Sequence, residues 1–355
     1  MASNYFFFIV LIISIIAGLF LNRFFLHRKP KFLVKKANNS AIRWSSQSKP
    51  IFGGITFYCL FVLGMIAFLF VYGVEAAATK EYLSLFIAVT ISFFMGFADD
   101  IINTNPLFKF IVQLLVGVIF IFSDIYIKIS PIDAINYTIT ILWVVGIMNS
   151  INMLDNMDAI TTMTSFSIVG SSVLYALFSN ASLSGLQVFI SVVLSGALIS
   201  FVYFNWHPSK MYMGDNGSQI LGVFLAFIGI TVFWNGVDVE EYSYAYNSKQ
   251  VIAVALAFIV PLTDTTTVTI NRLLRKKSPF VGGRDHTTHH LSYLGISERG
   301  IALILFSLNC IGLLMAYYAL NVEIWSNKQF WILSIYPIGV FITLYSITKI
   351  SKPKK

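Results

Sequence analysis

Apolar runs, each long enough to cross a hydrocarbon core as a helix of roughly 20 residues, recur from one end of this chain to the other. Eleven can be marked, at 5–26, 54–73, 82–98, 107–123, 136–151, 159–178, 184–204, 217–234, 250–271, 300–320 and 328–348. The run at 136–151 is the shortest and extends into the polar residues after it. Only 11% of the chain is charged, against roughly 25% in a soluble globular protein. The expected fold is therefore all-α: a polytopic membrane protein of about 11 transmembrane helices, forming one integral-membrane domain over 1–355. Cys59 and Cys310 lie far apart inside apolar runs, so neither a disulfide framework nor a zinc motif is implied.

Orientation follows from the basic residues. No Lys or Arg precedes the first run, whereas Arg23, Arg28, Lys29, Lys31, Lys35 and Lys36 follow it closely. This reads as an uncleaved anchor with its N-terminus outside. Eleven spans then leave the C-terminus and its basic tail, 350–355, in the cytoplasm. On this topology 20 of the 24 Lys and Arg lie inside, with only Lys80, Lys128, Lys249 and Lys328 outside. That is the asymmetry expected when basic loops resist translocation. The net charge of +8 thus reflects topology and contact with anionic inner-leaflet lipid, not nucleic-acid binding.

Acidic residues carry more information. Seven of the eight on the inner side stand in short polar clusters at span ends: Asp99–Asp100, Asp155 with Asp158, Asp215, Asp264 and Asp285. A single Asp at such a position most often caps a helix. Five clusters on one face, each with polar companions, point instead to a functional site, because ionisable groups at membrane depth are costly. In "GFADDIINTNPLFKFIVQ", 96–113, two adjacent carboxylates end one span and Lys109 opens the next.

In "NSINMLDNMDAITTM", 149–163, Asn149, Asn152, Asp155 and Asp158 recur every third residue. A helix would set them along one face. Such an edge suits a nucleotide base or a sugar, and equally a polar helix end packed on a neighbour. In "YFNWHPSKMYMGDNGSQILG", 203–222, the Gly214–Gly217 tetrad reads as a turn before a span starting near Ser218. Asp215 then sits at a helix N-terminus, a place that favours phosphate. A carboxylate there makes sense if Mg²⁺ bridges it to that phosphate. In the 272–299 segment, expected to be a cytoplasmic histidine loop, His286, His289 and His290 follow Arg284 and Asp285. Without an H-E-x-x-H pattern these fit an anion site for a diphosphate better than zinc. Together the clusters suggest phosphoryl transfer at a membrane surface, chemistry in which a protein mainly positions reactants and neutralises charge.

These clusters resemble those of the polyprenyl-phosphate N-acetylhexosamine-1-phosphate transferases, glycosyltransferase family 4. Asp99-Asp100 with Pro106, Lys109 and Gln113 is similar to the family's first motif. Asn149 to Asp158 is similar to its N-x-x-N-x-x-D-G-x-D-G stretch, and Asn205 with Met213-Gly214-Asp215 to its N…P…M-G-D stretch. His286 to His290 is similar to its histidine loop, while "KPIFGG" (49–54) and "PLTD" (261–264) match weaker patterns. Asn156 and Ala159 stand where the family usually has glycines, and two Thr separate His286 from His289. The split histidine run favours the branch that starts polysaccharides from simple UDP-amino sugars over the phospho-N-acetylmuramoyl-pentapeptide branch of peptidoglycan synthesis.

The resemblance implies transfer of a sugar-1-phosphate from a UDP-N-acetylhexosamine to undecaprenyl phosphate, releasing UMP, in the bacterial inner membrane with the site facing the cytoplasm. It implies Mg²⁺, with Mn²⁺ as a substitute, held by Asp215 and Asn152. Asp99 would accept the lipid phosphate's proton, Asp100 orient it and Lys109 hold a phosphate. Asp155 and Asp158 would hold the uridine and the histidine loop with His286, His289 and His290 the diphosphate or sugar, while Asn149, Asn205 and Arg284 are further substrate-binding residues. Membrane lipid is a further partner, and a homodimer is left open. A transporter, the rival of another class, predicts charged or broken helices at mid-membrane in paired repeats; here the polar groups gather at one face.

Overall fold

The computed structural model describes residues 4–28, 49–178, 183–236, 244–278 and 283–351. Most of the basic cluster after the first run, part of the histidine loop (279–282) and the tail from 352 lie outside them. Among the described residues the chain is helical throughout, apart from one parallel bridge pairing Ile51 with Tyr212. In chain order the helices are α1 (Asn4–Arg28), α2 (Gly53–Tyr72), α3 (Val74–Ala77), α4 (Lys80–Ile102), α5 (Pro106–Phe122), α6 (Asp133–Leu154), α7 (Ile160–Phe178), α8 (Gly185–Asn205), α9 (Gly214–Ile228, continued to Trp234 by a π-helical turn), α10 (Tyr244–Ala257), α11 (Ile259–Leu274), α12 (Thr287–Tyr293), α13 (Glu298–Asn321) and α14 (Asn327–Ile350).

Among the described residues nine helices are long and apolar enough to cross a membrane, and α5 is a shorter apolar helix. The 250–271 run is not one straight span. It is split into α10 and α11, which meet at an angle of 84°. Pro261 accounts for the break: it has no N–H for the Ala257 carbonyl, and its ring would collide with that carbonyl in a continuous helix. The 217–234 run also begins earlier than its sequence suggests, since the Gly214–Gly217 tetrad is the first turn of α9.

The core is organised around α9. Within its span 94% of the most apolar window is buried, against 17% in α1 and 22% in α14. In lipid, where apolar faces gain nothing by leaving the solvent, such packing depends on close van der Waals fit. Gly96 supplies it between α4 and α9, because a Cβ there would lie 2.5 Å from the Asp215 carbonyl oxygen. The strand-like segment before α2 is hydrogen-bonded to the segment before α9, through Gly53 N–H to Tyr212 O (3.2 Å) and Gly54 N–H to Met213 O (3.0 Å). These contacts hold the N-terminal end of α9 against α2 and α4, where the acidic motifs converge.

Candidate active site

Two acidic motifs more than a hundred residues apart meet here. Asn105 caps α5 by accepting from Leu107 N–H (2.9 Å), with Pro106 at the first helical position. The tight turn between α4 and α5, made with Asn103 left-handed (φ 53°), swings Lys109 back onto Asp99. Lys109 Nζ donates to Asp99 Oδ2 and, from the other side, to Asp215 Oδ2 at 3.3 Å. Thr104 fixes the remaining Asp99 oxygen, its N–H and hydroxyl donating to Oδ1 at 2.9 and 2.7 Å.

Asp100 does a different job. Its carboxylate accepts from the backbone N–H groups of Asp215 (3.1 Å) and Asn216 (3.0 Å). It therefore caps α9 from another helix. Gly214 makes room for it, since a Cβ at Gly214 would lie 2.6 Å from Asp100 Oδ2, and its φ of +78° already favours glycine. The N–H groups expected to bind phosphate are thus occupied by a side chain. This cap also explains the early start of α9, because an acceptor brought from outside replaces the missing local one.

One turn deeper the same helices are laced by amides. Gln113 and Asn149 exchange hydrogen bonds (2.7 and 3.3 Å), and Gln113 also donates to Gln219 Oε1 (3.3 Å). Gln113 follows Lys109 by four residues and Gln219 follows Asp215 by four, so α5 and α9 meet at both levels with α6 alongside. Asn152 lies one turn beyond Asn149 on α6, half-buried.

The expected helical stripe from Asn149 to Asp158 does not form. Helix α6 ends at Leu154, with Asp155 as its C-cap. Asp158 points into the loop before α9, accepting from Ser209 N–H (3.0 Å), Ser209 Oγ (2.7 Å) and His207 Nδ1 (2.9 Å). Ala159, with φ 64°, makes the left-handed turn that reverses the chain. Its N–H donates to Asn205 Oδ1 (3.0 Å), so Asn205 is engaged in holding this turn.

The histidine loop packs on α11. Asp264, 1% exposed, accepts from Thr287 N–H (2.8 Å), Thr287 Oγ1 (2.7 Å) and His286 Nδ1 (2.8 Å). Arg272 clasps Asp285 with two hydrogen bonds of 2.9 and 2.8 Å. Burial would raise the Asp285 carboxyl, but the guanidinium overrides it and holds the group below the usual carboxylate range. His290 Nδ1 lies 2.7 Å from Ser351 Oγ, and burial, followed by the charge of Arg275, lowers its pKa. Burial, with the neighbouring His286 charge, pushes His289 down to about 3. His289 is therefore uncharged at neutral pH, and cationic side chains of this segment that reach water include exposed Arg284.

Two places offer ligands to a divalent cation. Asp158, His207 and Glu298 bring ligand atoms within 4.8 Å of one another. There Lys49 stands 3.9 Å from Asp158 and Arg299 donates to the His207 carbonyl (2.8 Å), so cations already flank the carboxylates. Around Lys109 the carboxylates of Asp99 and Asp215 meet, and Asp215 is the more open, with 27% of its side chain exposed against 4% for Asp99. Asp215 could supply one hard oxygen ligand to Mg²⁺, beside an ammonium that already partly neutralises the pair. Among the described residues, the three candidate ligand atoms that come together are those of Asp158, His207 and Glu298.

With this geometry in view, the sequence was compared with known proteins. Residues 82–233 match glycosyl transferase family 4. A Bacillus subtilis protein described as a probable undecaprenyl-phosphate N-acetylglucosaminyl 1-phosphate transferase is 25% identical, over 84% of this chain and 79% of its own length. Over 82–233 the chain is similar to glycosyl transferase family 4. Other proteins similar to this chain are the decaprenyl-phosphate N-acetylglucosaminephosphotransferase of Mycobacterium leprae, 25% identical over 72% of this chain and 70% of that one, and a phospho-N-acetylmuramoyl-pentapeptide-transferase of Streptococcus agalactiae, 28% identical over 71% and 77%.

The match spans α4 to α9, and so includes every residue of the Lys109 centre. Of the candidate residues marked in the sequence, Asp99, Asp100, Lys109 and Asp215 come together, with Gln113 and Asn149 one turn deeper. Asp158 and Asn205 are taken up by the loop before α9, and the three histidines stand at the start of α12, with His286 bonded to Asp264 of α11 and His290 to Ser351 at the end of α14. Sequence reasoning missed Thr104, Gln219, Ser209 and Arg272 as partners, and left Asp264 out of the site. A helical spacing of four from Asp215 could have pointed to Gln219; Thr104 and Ser209 carry no such signal.

Proposed function

We propose that this protein moves N-acetylhexosamine-1-phosphate from a UDP-sugar to undecaprenyl phosphate, releasing UMP, at the cytoplasmic face of a bacterial inner membrane. The observation that carries the reading is the Asp99–Lys109–Asp215 constellation beside a lipid-facing surface. Leu107, Phe108 and Ile111 of α5 and Ile101 and Ile102 of α4 are exposed next to it. A phosphate on an apolar tail can approach along that surface, while a nucleotide approaches the open Asp215 from water. The 20-to-4 distribution of basic residues supports the cytoplasmic side.

In this reading Lys109 is the exchanging group. It turns one donor from the carboxylates to the lipid phosphate, leaving an Asp99 oxygen to accept that phosphate's proton. The phosphate oxygen attacks the β-phosphorus of the UDP-sugar, and the bond from that phosphorus to the bridging oxygen breaks, so UMP departs. Asp100 keeps α9 in place, which fixes where Asp215 stands. Asp215 and Asn152 would hold Mg²⁺ or Mn²⁺, which when bound neutralises the diphosphate charge. Asp155, Asp158, Arg284 and the histidines would serve the uridine, the diphosphate and the sugar.

The test is UMP release from purified protein, undecaprenyl phosphate, Mg²⁺ and a panel of UDP-sugars that includes UDP-N-acetylmuramoyl-pentapeptide. Turnover with a simple UDP-N-acetylhexosamine is expected. Release from the pentapeptide substrate alone would move the chain to the other branch, and none at all would overturn the reading. Asp215→Ala should abolish turnover in a folded protein; activity surviving both this change and EDTA would remove the metal from the proposal.

A further inference from the structure

The loop between α6 and α7 and the histidine loop are anchored to different parts of the bundle. Residues 155–159 are tied to the segment before α9 through Asp158 and Ala159. The histidine loop is tied to α11 through Asp264 and Arg272, and to the end of α14 through His290. Helix α11 itself joins α10 across the 84° break. Near that break it is pinned to α6, since Ser150 Oγ donates to the Pro261 carbonyl (2.8 Å) and Thr265 Oγ1 donates to Ser150 Oγ (2.7 Å).

At the far end of the assembly, Thr288 Oγ1 donates to Asn156 Oδ1 at 2.6 Å. Both positions are distinctive. Thr288 is fully buried in the first turn of α12. Asn156 sits two residues past the end of α6, where its Nδ2 donates to the Met153 carbonyl (2.9 Å) and its N–H to the Leu154 carbonyl (2.8 Å). Its amide is thus held by α6 on one side and offers its oxygen to the histidine loop on the other. No glycine or alanine could make this bond. A bond at the end of a bent arm controls the arm's position more strongly than one beside the bend.

We propose that Asn156 and Thr288 are a positioning pair. Their hydrogen bond locks the histidine loop onto the end of α6 and thereby sets the shape of the site for the sugar-diphosphate part of the nucleotide sugar. The pair touches no reacting atom and acts through the loops that carry Asp155 and His286 to His290. The proposal rests on the function argued above, and one of its tests does not.

Thr288→Val keeps the shape of the side chain and removes the donor. It should raise KM for the UDP-sugar about tenfold, the scale of one lost hydrogen bond, while KM for undecaprenyl phosphate and kcat stay within about twofold. Thr288→Ser should restore the wild-type KM. Asn156→Ala should match Thr288→Val, and the double variant should be no worse than either, because both remove one bond. Hydrogen–deuterium exchange of 284–294 in detergent, without substrate, should quicken in Thr288→Val and not in Thr288→Ser. That measurement judges the lock even if no UDP-sugar is turned over. Unchanged exchange in Thr288→Val, additive effects in the double variant, or a rise in KM shared equally by both substrates would overturn the proposal.

Discussion

The Lys109 centre and the histidine loop both gather charge at one end of the helical bundle, but they treat it in opposite ways. At Lys109 one ammonium is shared between carboxylates on two helices, and both Lys109 and Asp215 keep roughly a quarter of their side chains exposed. At the histidine loop Asp264 is closed off with three hydrogen bonds, Arg272 holds Asp285 with two, and His289 is buried. A shared, half-open lysine can change partners when a phosphate arrives. A carboxylate enclosed by three donors cannot, because a buried charge stripped of its partners is costly. The first region is arranged to exchange ligands and the second to keep its shape.

The largest effect should come from breaking that division inside the first region. Asp99→Asn keeps the shape and removes the proton acceptor, so kcat should fall by roughly 10²–10⁴-fold. Raising the pH should recover part of the rate, since solvent can then take the lipid phosphate's proton. Asp100→Asn weakens the cap on α9 instead, and its loss should not be recovered at high pH. Equal rescue of both variants would erase the distinction between the two adjacent carboxylates. UMP released stoichiometrically without undecaprenyl phosphate would instead make Asp99 a nucleophile.

The second region should reveal itself through stability. His289 stays neutral in the folded protein down to about pH 3, whereas an unfolded histidine takes up its proton near pH 6.5. Between those values the unfolded state binds the extra proton, so stability should fall as pH drops, by up to about 1.4 kcal/mol per unit. Above about pH 6.5 this contribution is level. Thermal unfolding in detergent from pH 4 to 8 should show the slope, and His289→Gln should flatten it. An unchanged slope in that variant would mean that His289 is not the group responsible.

The smallest effect concerns Ala159, whose φ of 64° is unfavourable for any residue with a Cβ, by about 1–2 kcal/mol. Ala159→Gly relieves this and loses some backbone entropy in return. A net gain of up to about 1 kcal/mol is expected, seen as a modest rise in Tm with activity retained. A fall in Tm would show that the alanine methyl contributes more through packing than the turn costs.

The helical class was readable from sequence because lipid leaves a spanning chain few alternatives to the helix, and the apolar runs fall on helices with ends shifted by a few residues. The 84° break was less readable. Pro261 sits in the sequence, yet proline within a span bends some helices only slightly, as its presence inside α14 at Pro337 indicates. The acidic motifs were legible as a group because they share one face. Individual partners were not: Asp100 finds its N–H groups 115 and 116 residues away, and Asp158 finds Ser209 51 residues away. Such pairs are set by which helices pack together, and periodicity within one segment holds no record of them. The spacing of three from Asn149 to Asp158 was misleading for the same reason, as the helix stops before the pattern does.

Helix α5 has 17 residues, about 26 Å at 1.5 Å per residue, which is less than the roughly 30 Å of a typical hydrocarbon core. A bilayer around a short helix thins to meet it, at a modest elastic cost. Lys109 lies in the first turn of that helix, so a bilayer thinned to match α5 would bring its surface toward Lys109. In the proposed reaction a phosphate anchored at the headgroup level would then be brought toward the depth of Asp99 by the lipid itself. Bilayer thickness thereby becomes a variable of the reaction, able to change its rate while every side chain stays as it is.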